Sequence, residues 1–159
     1  MQIHIIAVGK IRERYLTDGI AEYVKRLKPY ARLSIIEVPH VPRPDVVPPA
    51  QEERILEKEA EAINRVVPEG SYLIALEIQG KKLSSEGLAE IIRNREVEGR
   101  GGIVFIIGGD LGLSPVLLER CDLRFSLSAM TFPHTMVRLI LLEQVYRAFR
   151  INRNEPYHR

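Results

Sequence analysis

Five short runs rich in β-branched residues, Gln2 to Val8, Leu33 to Val38, Tyr72 to Leu76, Ile103 to Ile107 and Leu123 to Leu127, alternate with stretches of helical periodicity. Because the runs are continuously apolar, they read as strands covered on both faces, the arrangement of a parallel sheet flanked by helices. The segments between them supply the helices. Leu16 to Leu27 carries an apolar stripe at 16, 20, 23, 24 and 27 and stops before Pro29, while Gln51 to Val67 turns Ile55, Leu56, Ile63, Val66 and Val67 inward. Ser84-Ser85-Glu86 caps a helix running to about Arg93, and Ser114-Pro115 places a capping hydroxyl before a first-turn proline for a helix ending near Arg120. The order βαβαβαβαβα predicts an α/β fold. With 159 residues, no repeat and no linker, it predicts one domain over 1–159.

Composition removes several classes. At 45% hydrophobic and 28% charged residues, the chain can bury a core without disulfides or metal, which excludes overall disorder. Its single cysteine, Cys121, cannot close an internal bridge, and no Cys/His cluster has zinc-like spacing, so no metal is expected. No signal-peptide pattern opens the chain and no apolar run of about 18 residues occurs, so the expected location is the cytoplasm and no membrane is expected as a partner. A net charge of +2 is too small to announce a nucleic-acid binder, but it is unevenly placed. Residues 138–159 hold five arginines against two glutamates, making the C-terminal helix and tail the natural place to meet an anion.

That last helix, about His134 to Ile151, is apolar nearly all round, leaving a narrow polar stripe at Glu143, Arg147 and Arg150. Two arrangements satisfy such a helix: a deep core within one chain, or one face on its own sheet and the opposite face on a second copy in a symmetric dimer. The segment 39–49 holds five of the ten prolines and reads as a stiff surface crossover or a substrate-facing rim.

Ligands of parallel sheets bind beyond the carboxyl ends of strands. Three segments stand there: Leu76-Glu77-Ile78-Gln79-Gly80, Gly108-Gly109-Asp110-Leu111-Gly112, and Ser128-Ala129-Met130-Thr131-Phe132-Pro133. The glycine segment matches neither a dinucleotide fingerprint nor a phosphate loop, and is a tight turn or a ligand cradle. The third mixes hydroxyls with small and apolar residues, suiting a flat, partly apolar ligand such as an adenine, or packing under the last helix. His134 reads as the start of that helix, and Lys81 and Lys82 as a solvated turn. The tail, ending Tyr157-His158-Arg159, is chemically rich for a chain terminus: His158 could serve as a base near neutral pH, and Arg147 or Arg159 could hold an anion. Fraying is the alternative.

Taken together, Phe105-Ile106-Ile107-Gly108-Gly109, Gly112-Leu113-Ser114, Leu127-Ser128, Thr131-Phe132-Pro133-His134, Arg138, Glu143-Gln144-Val145-Tyr146-Arg147-Ala148 and the closing Tyr157-His158-Arg159 resemble the small, single-domain branch of the SPOUT (α/β-knot) methyltransferases acting on large-subunit ribosomal RNA. The likeness runs the full length, from Ile5-Ala7-Val8-Gly9-Lys10 onward.

The resemblance implies a Rossmann-like, mostly parallel sheet whose C-terminal part forms a trefoil knot, working as a homodimer. It implies S-adenosylmethionine as cofactor, held by Leu76, Gly108, Gly109, Leu127, Ser128, Ala129, Met130, Thr131 and Phe132, and facing the partner's tail. The implied reaction is methylation of N3 of a pseudouridine in 23S rRNA of assembled ribosomes. His158 would then act as base or base-positioner, Tyr157 would order the nucleobase, and Arg147 and Arg159 would hold phosphate or the uracil-like anion. Three rivals remain: a related enzyme acting on tRNA, a non-catalytic ribosome-associated knot protein, and a flavodoxin-like nucleotide-binding domain.

Overall fold

The computed structural model describes residues 1–159. Its strands are β1 (Gln2–Val8), β2 (Arg32–Val38), β3 (Tyr72–Lys82), β4 (Ile103–Ile107) and β5 (Leu123–Ser126), and its helices are α1 (Arg14–Leu27), α2 (Pro49–Val66), α3 (Ser85–Glu98), α4 (Pro115–Arg120) and α5 (His134–Asn152). All four strand pairings are parallel, in the order β2-β1-β4-β3-β5. Every loop leaving a strand therefore emerges at one edge of the sheet, and that edge carries the site.

The continuous apolar strands face two ways. Ile3, Ile5 and Ala7 of β1, with Ile74, Phe105 and Ile107, pack into a core with Leu27 of α1, Leu88 and Ile92 of α3, and Leu141, Val145 and Phe149 of α5. Ile6 and Val8, with Leu73, Val104 and Ile106, pack oppositely against Ala60 and Ile63 of α2 and Leu117 of α4. This is the strand period of two applied to a sheet with both faces covered. Phe105 is fully buried at the centre, where truncation to Ala costs about 3–5 kcal/mol.

Two elements run further than their sequence patterns predict. β3 continues past Leu76 to Lys82, because its pairing with β5 breaks after Leu76 and resumes at Lys81, with Phe125 opposite both. Residues 77–80 form the excursion between the two registers, so Lys81 and Lys82 are exposed strand residues rather than a turn. Gly80 makes this possible: a Cβ there would lie 2.7 Å from the Arg124 carbonyl carbon. α3 runs past Arg93 to a left-handed glycine cap at Gly99, and its last turn is held by Arg95, which pairs with Glu98 at 2.6 Å and lies 4.6 Å from the Tyr72 ring centroid.

α5 lies on the sheet between α1 and α3, and none of its residues is exposed. Leu139 abuts Gly19 of α1, Ser85 donates to Gln144 at 2.7 Å, and Asn152 donates to the Ala89 carbonyl at 2.9 Å. The apolar girth that suggested a second copy on the opposite face is thus largely accommodated on its flanks by helices of the same chain. Near the start of α5, the buried Arg138 pairs with Glu37 at 2.7 Å and donates to the Gly9 carbonyl at 3.2 Å, tying α5 to the ends of β1 and β2. No helix is long and apolar enough to cross a membrane, and no group of three or more His, Cys, Asp or Glu is placed to hold a metal ion.

Candidate functional site

A cavity of about 850 Å³ opens at the carboxyl edge of the sheet, walled by the segments after β3, β4 and β5 and by the start of α5. Of the residues expected to hold a cofactor, Leu76, Gly108, Gly109, Leu127, Ser128, Met130, Thr131 and Phe132 line it. Ala129 does not; its side chain is exposed to solvent. The loop turns there because Ser128 accepts from the Met130 amide at 3.0 Å, a local side-chain-to-backbone bond that carries Ala129 outward. The cavity also takes Glu77, Ile78 and Asp110, which lie in the expected strand-end segments, and His134, which the sequence marks only as a helix start.

The middle wall is a glycine turn. After β4, the Gly112 amide donates to the Gly109 carbonyl at 3.0 Å, with Gly112 at φ +83°. A Cβ on Gly108 would stand 2.4 Å from the Gly112 carbonyl oxygen, so only glycine permits the chain to fold back this tightly. Gly108, Gly109 and Gly112 line the cavity with no side chain of their own to fill it. Asp110, at the tip of the turn, pairs with Arg43 from the proline-rich segment. Burial pushes the Asp110 carboxyl up, but the Arg43 hydrogen bond and charge outweigh it and hold it below its ordinary value. Burial likewise holds His134 below the usual histidine range, favouring a neutral imidazole at the cavity wall.

The tail forms a separate cluster. Beyond α5 the chain reverses at Asn154, whose φ of +55° makes it the one non-glycine residue in the left-handed region, and Glu155 donates its amide to Arg150 at 2.9 Å. Tyr157 then packs edge-on against Tyr146 with ring centroids 4.9 Å apart, under the Arg147 guanidinium at 4.7 Å. Its hydroxyl donates to Glu143 Oε1 at 3.0 Å and lies 3.5 Å from the Tyr23 hydroxyl. Burial, then those two partners, push its pKa far above the tyrosine norm, so it stays a phenol.

His158 is held at both ring nitrogens: Arg147 Nη1 lies 3.3 Å from Nδ1, and Glu86 Oε1 lies 2.7 Å from Nε2. Because a guanidinium can only donate, Nδ1 is the acceptor and Nε2 carries the hydrogen it gives to Glu86. Glu86 is correspondingly held below its ordinary value, first by a backbone hydrogen bond and then by His158.

The arginines that suggested an anion surface are mostly committed within the chain. Arg138 pairs with Glu37, Arg147 with Glu143, Arg150 with Glu155 at 3.0 Å and Arg153 with Glu96 at 3.2 Å. Arg159 alone among the five has no hydrogen bond or ion pair. Sequence patterning missed Glu86 and Glu143 as partners of the tail; charge spacing on α5 placed Glu143 four residues from Arg147, which was the available signal.

Cavity and tail do not meet within one chain: none of Arg147, Tyr157, His158 and Arg159 lines the cavity. A smaller hollow of about 200 Å³ shares Phe125, Leu127 and Phe132 with it and reaches Ser85 and Gln144, the sequence neighbours of Glu86 and Glu143.

A family model described as "Predicted SPOUT methyltransferase" matches residues 1–158. Over 159 residues, covering 100% of both chains, the sequence is 53% identical to a ribosomal RNA large subunit methyltransferase H of Carboxydothermus hydrogenoformans. Among solved structures, the fold matches a methylase family protein of Haemophilus influenzae Rd KW20 with a TM-score of 0.55 at 15% identity, covering 99% of this chain and 70% of that one. It also matches a Legionella pneumophila protein described as a methyltransferase and solved with bound SAM, with a TM-score of 0.51 at 13% identity, covering 94% of this chain and 66% of that one. At such identities the two structures speak to the fold alone.

Proposed function

The chain belongs to the SPOUT methyltransferase family, and from that premise we propose that it is an S-adenosylmethionine-dependent methyltransferase of large-subunit ribosomal RNA, modifying N3 of a pseudouridine in 23S rRNA of the assembled ribosome. The observation that carries the reading is the cavity of about 850 Å³ built by three strand-end segments, in a chain identical at 53% of positions, end to end, to a ribosomal RNA methyltransferase.

The residues present fit the cofactor. The cavity volume is in the range of small-molecule sites, and its wall combines apolar side chains with three glycines that put no side chain into the space. Leu76, Gly108 and Gly109 with Leu127, Ser128, Met130, Thr131 and Phe132 would hold it, the backbone serving the polar groups and Leu127 and Phe132 the apolar ones. Ala129 contributes through its position in the loop. When bound, S-adenosylmethionine supplies a methyl group on a sulfonium whose positive charge is lost on transfer, so a dry, pre-shaped wall serves the reaction better than a charged one.

The tail would supply the proton chemistry. N3 must give up a proton to become a nucleophile, and His158 would accept it at Nδ1 once Arg147 has turned from that nitrogen toward an RNA phosphate. Tyr157, held as a phenol, would order the base, and Arg159 would take a phosphate. Because cavity and tail lie apart in one chain, the reading takes the protein as a homodimer in which one protomer's cavity faces its partner's tail. Exposed Ile78 and Met130 beside the cavity are the apolar surface such a partner would cover. The α/β sheet would then be completed by a C-terminal trefoil knot, in a single domain over 1–159.

With four of its five arginines paired, the C-terminal helix and tail keep little free positive charge to grip naked RNA, since phosphate contacts dominate such affinity. This supports the assembled ribosome as substrate, and a ribosomal substrate goes with the cytoplasm as the place of action. The test is labelled-methyl transfer to ribosomes from a strain lacking this gene, followed by nucleoside mass analysis. One 3-methylpseudouridine per large subunit is the expected result. Label in tRNA, or none in either RNA, would overturn the reading.

A further inference from the structure

The segment 39–49, which links β2 to α2, has no part in the chemistry described so far, yet it reaches the cofactor wall. Its five prolines each fix φ, so the segment is stiff before any contact is made. It is moored from below by Glu59 of α2, only 3% exposed, whose Oε2 accepts from the Val41 amide at 3.4 Å, and at its start by the Gly9 amide donating to the Val38 carbonyl at 2.9 Å. From this stiff mount, Arg43 extends to Asp110 at the tip of the glycine turn.

The guanidinium is costly where it lies. The Arg43 side chain is 11% exposed, and its Nη1 is buried with no partner at all. A buried cation with an unpartnered nitrogen contributes little to stability, and an apolar side chain of similar volume is often as good or better there. What the cation does hold is Asp110, half exposed on the cavity side. Three glycines in five residues give that turn more freedom to lose than any other wall of the cavity. Apart from the single Gly112-to-Gly109 hydrogen bond, the Arg43 pair is the contact that pins it.

We infer that residues 39–49 form a rigid strap and that Arg43 is a positioning residue for the cofactor site, acting through Asp110 to hold the Gly108–Gly112 turn in its binding shape. Arg43 does not line the cavity. It lowers the ordering cost that the turn would otherwise charge against ligand binding. The inference rests on the cavity being the S-adenosylmethionine site.

Calorimetric titration of the full-length protein with S-adenosylmethionine tests it, using wild type, Arg43→Ala, Asp110→Ala, the double variant and the exchanged pair Arg43→Asp/Asp110→Arg, alongside thermal midpoints. Each single variant should bind about five- to tenfold more weakly, as expected for loss of a charge-assisted contact. The double should be no worse than either single, and the exchange should recover most of the affinity with little change in midpoint. If Arg43→Ala does not fold, Arg43→Lys, which keeps the charge without the planar fork, should show the same weakening. Single variants with wild-type affinity, or losses that multiply in the double, would overturn the strap. A wild type that fails to bind S-adenosylmethionine would overturn the proposed function itself.

Discussion

Arg147 directs Nη1 at Nδ1 of His158 from 3.3 Å, and so occupies the lone pair that a base would use. With Nε2 held by Glu86 at 2.7 Å, the ring is fixed in orientation and its Nδ1 stays occupied until Arg147 moves. A phosphate of the incoming RNA, charged before any proton is lost, would offer Arg147 a better partner than imidazole. Its arrival would release the base at the moment it is needed.

His158→Ala should therefore leave S-adenosylmethionine affinity unchanged, because His158 lies outside the cavity. Methyl transfer to ribosomes should fall about 100-fold or more, the usual contribution of a positioned base. Single-turnover transfer of labelled methyl reads this directly, and a wild-type rate would remove the base role.

Gly80 is the point where β3 returns to β5. Gly80→Ala would push a Cβ to within 2.7–2.8 Å of the Arg124 carbonyl and the Phe125 amide nitrogen, backbone atoms with no cheap way to yield. A loss of about 2–3 kcal/mol in a urea melt is expected, within the range for forced backbone shifts. Weaker S-adenosylmethionine binding should accompany it, since Phe125 and Leu127 wall the cavity.

Arg138→Ala removes the donor that joins α5 to Glu37 and to the Gly9 carbonyl. Breaking a fully buried pair costs about 3–5 kcal/mol; Glu37 is partly open to water, so about 2 kcal/mol is the expectation here. Chemical denaturation of the variant checks it. Glu37→Gln, which keeps an acceptor for Arg138, should cost less.

Glu59 gives a pH dependence with a definite sign. Burial raises its carboxyl above the ordinary 4.5, against smaller downward pulls from the Val41 amide, His40 and Arg43, and a small upward push from Asp110. A raised acid binds more protons folded than unfolded, so stability falls as pH rises through the window above 4.5. Glu59→Gln, which keeps an oxygen for Val41, should stabilise the protein at pH 8 and bring no gain at pH 4. Urea midpoints at the two values decide it.

These contacts mark how far the sequence could be read. β4 was legible to the residue, because Ile103 to Ile107 is buried on both faces and nothing in a parallel sheet interrupts it. The extension of β3 was not, because Glu77-Ile78-Gln79-Gly80 is a loop by its own chemistry and becomes part of a strand only through the close approach to Arg124. The apolar girth of α5 was visible, but which surfaces cover it depends on where α1 and α3 lie. Eight of the nine expected cofactor residues line the cavity because strand ends in a parallel sheet converge on one edge. Ala129 escapes by one hydrogen bond. Of the partners of the tail, Glu143 was signalled only through its i,i+4 spacing to Arg147, and Glu86 comes from 72 residues away by folding, which no local pattern encodes.

The separation of cavity and tail within one chain has its most direct test in subunit mixing. Ser128→Tyr fills the cavity and His158→Ala removes the base, and each homodimer should be inactive on ribosomes. Co-expressed with different affinity tags, the two should form mixed dimers with one intact cavity facing one intact tail. Random pairing then restores roughly a quarter of wild-type methyl transfer in the pooled protein. Recovery near that level is the expected result. Purified mixed dimers as inactive as their parents would contradict a site assembled between two subunits.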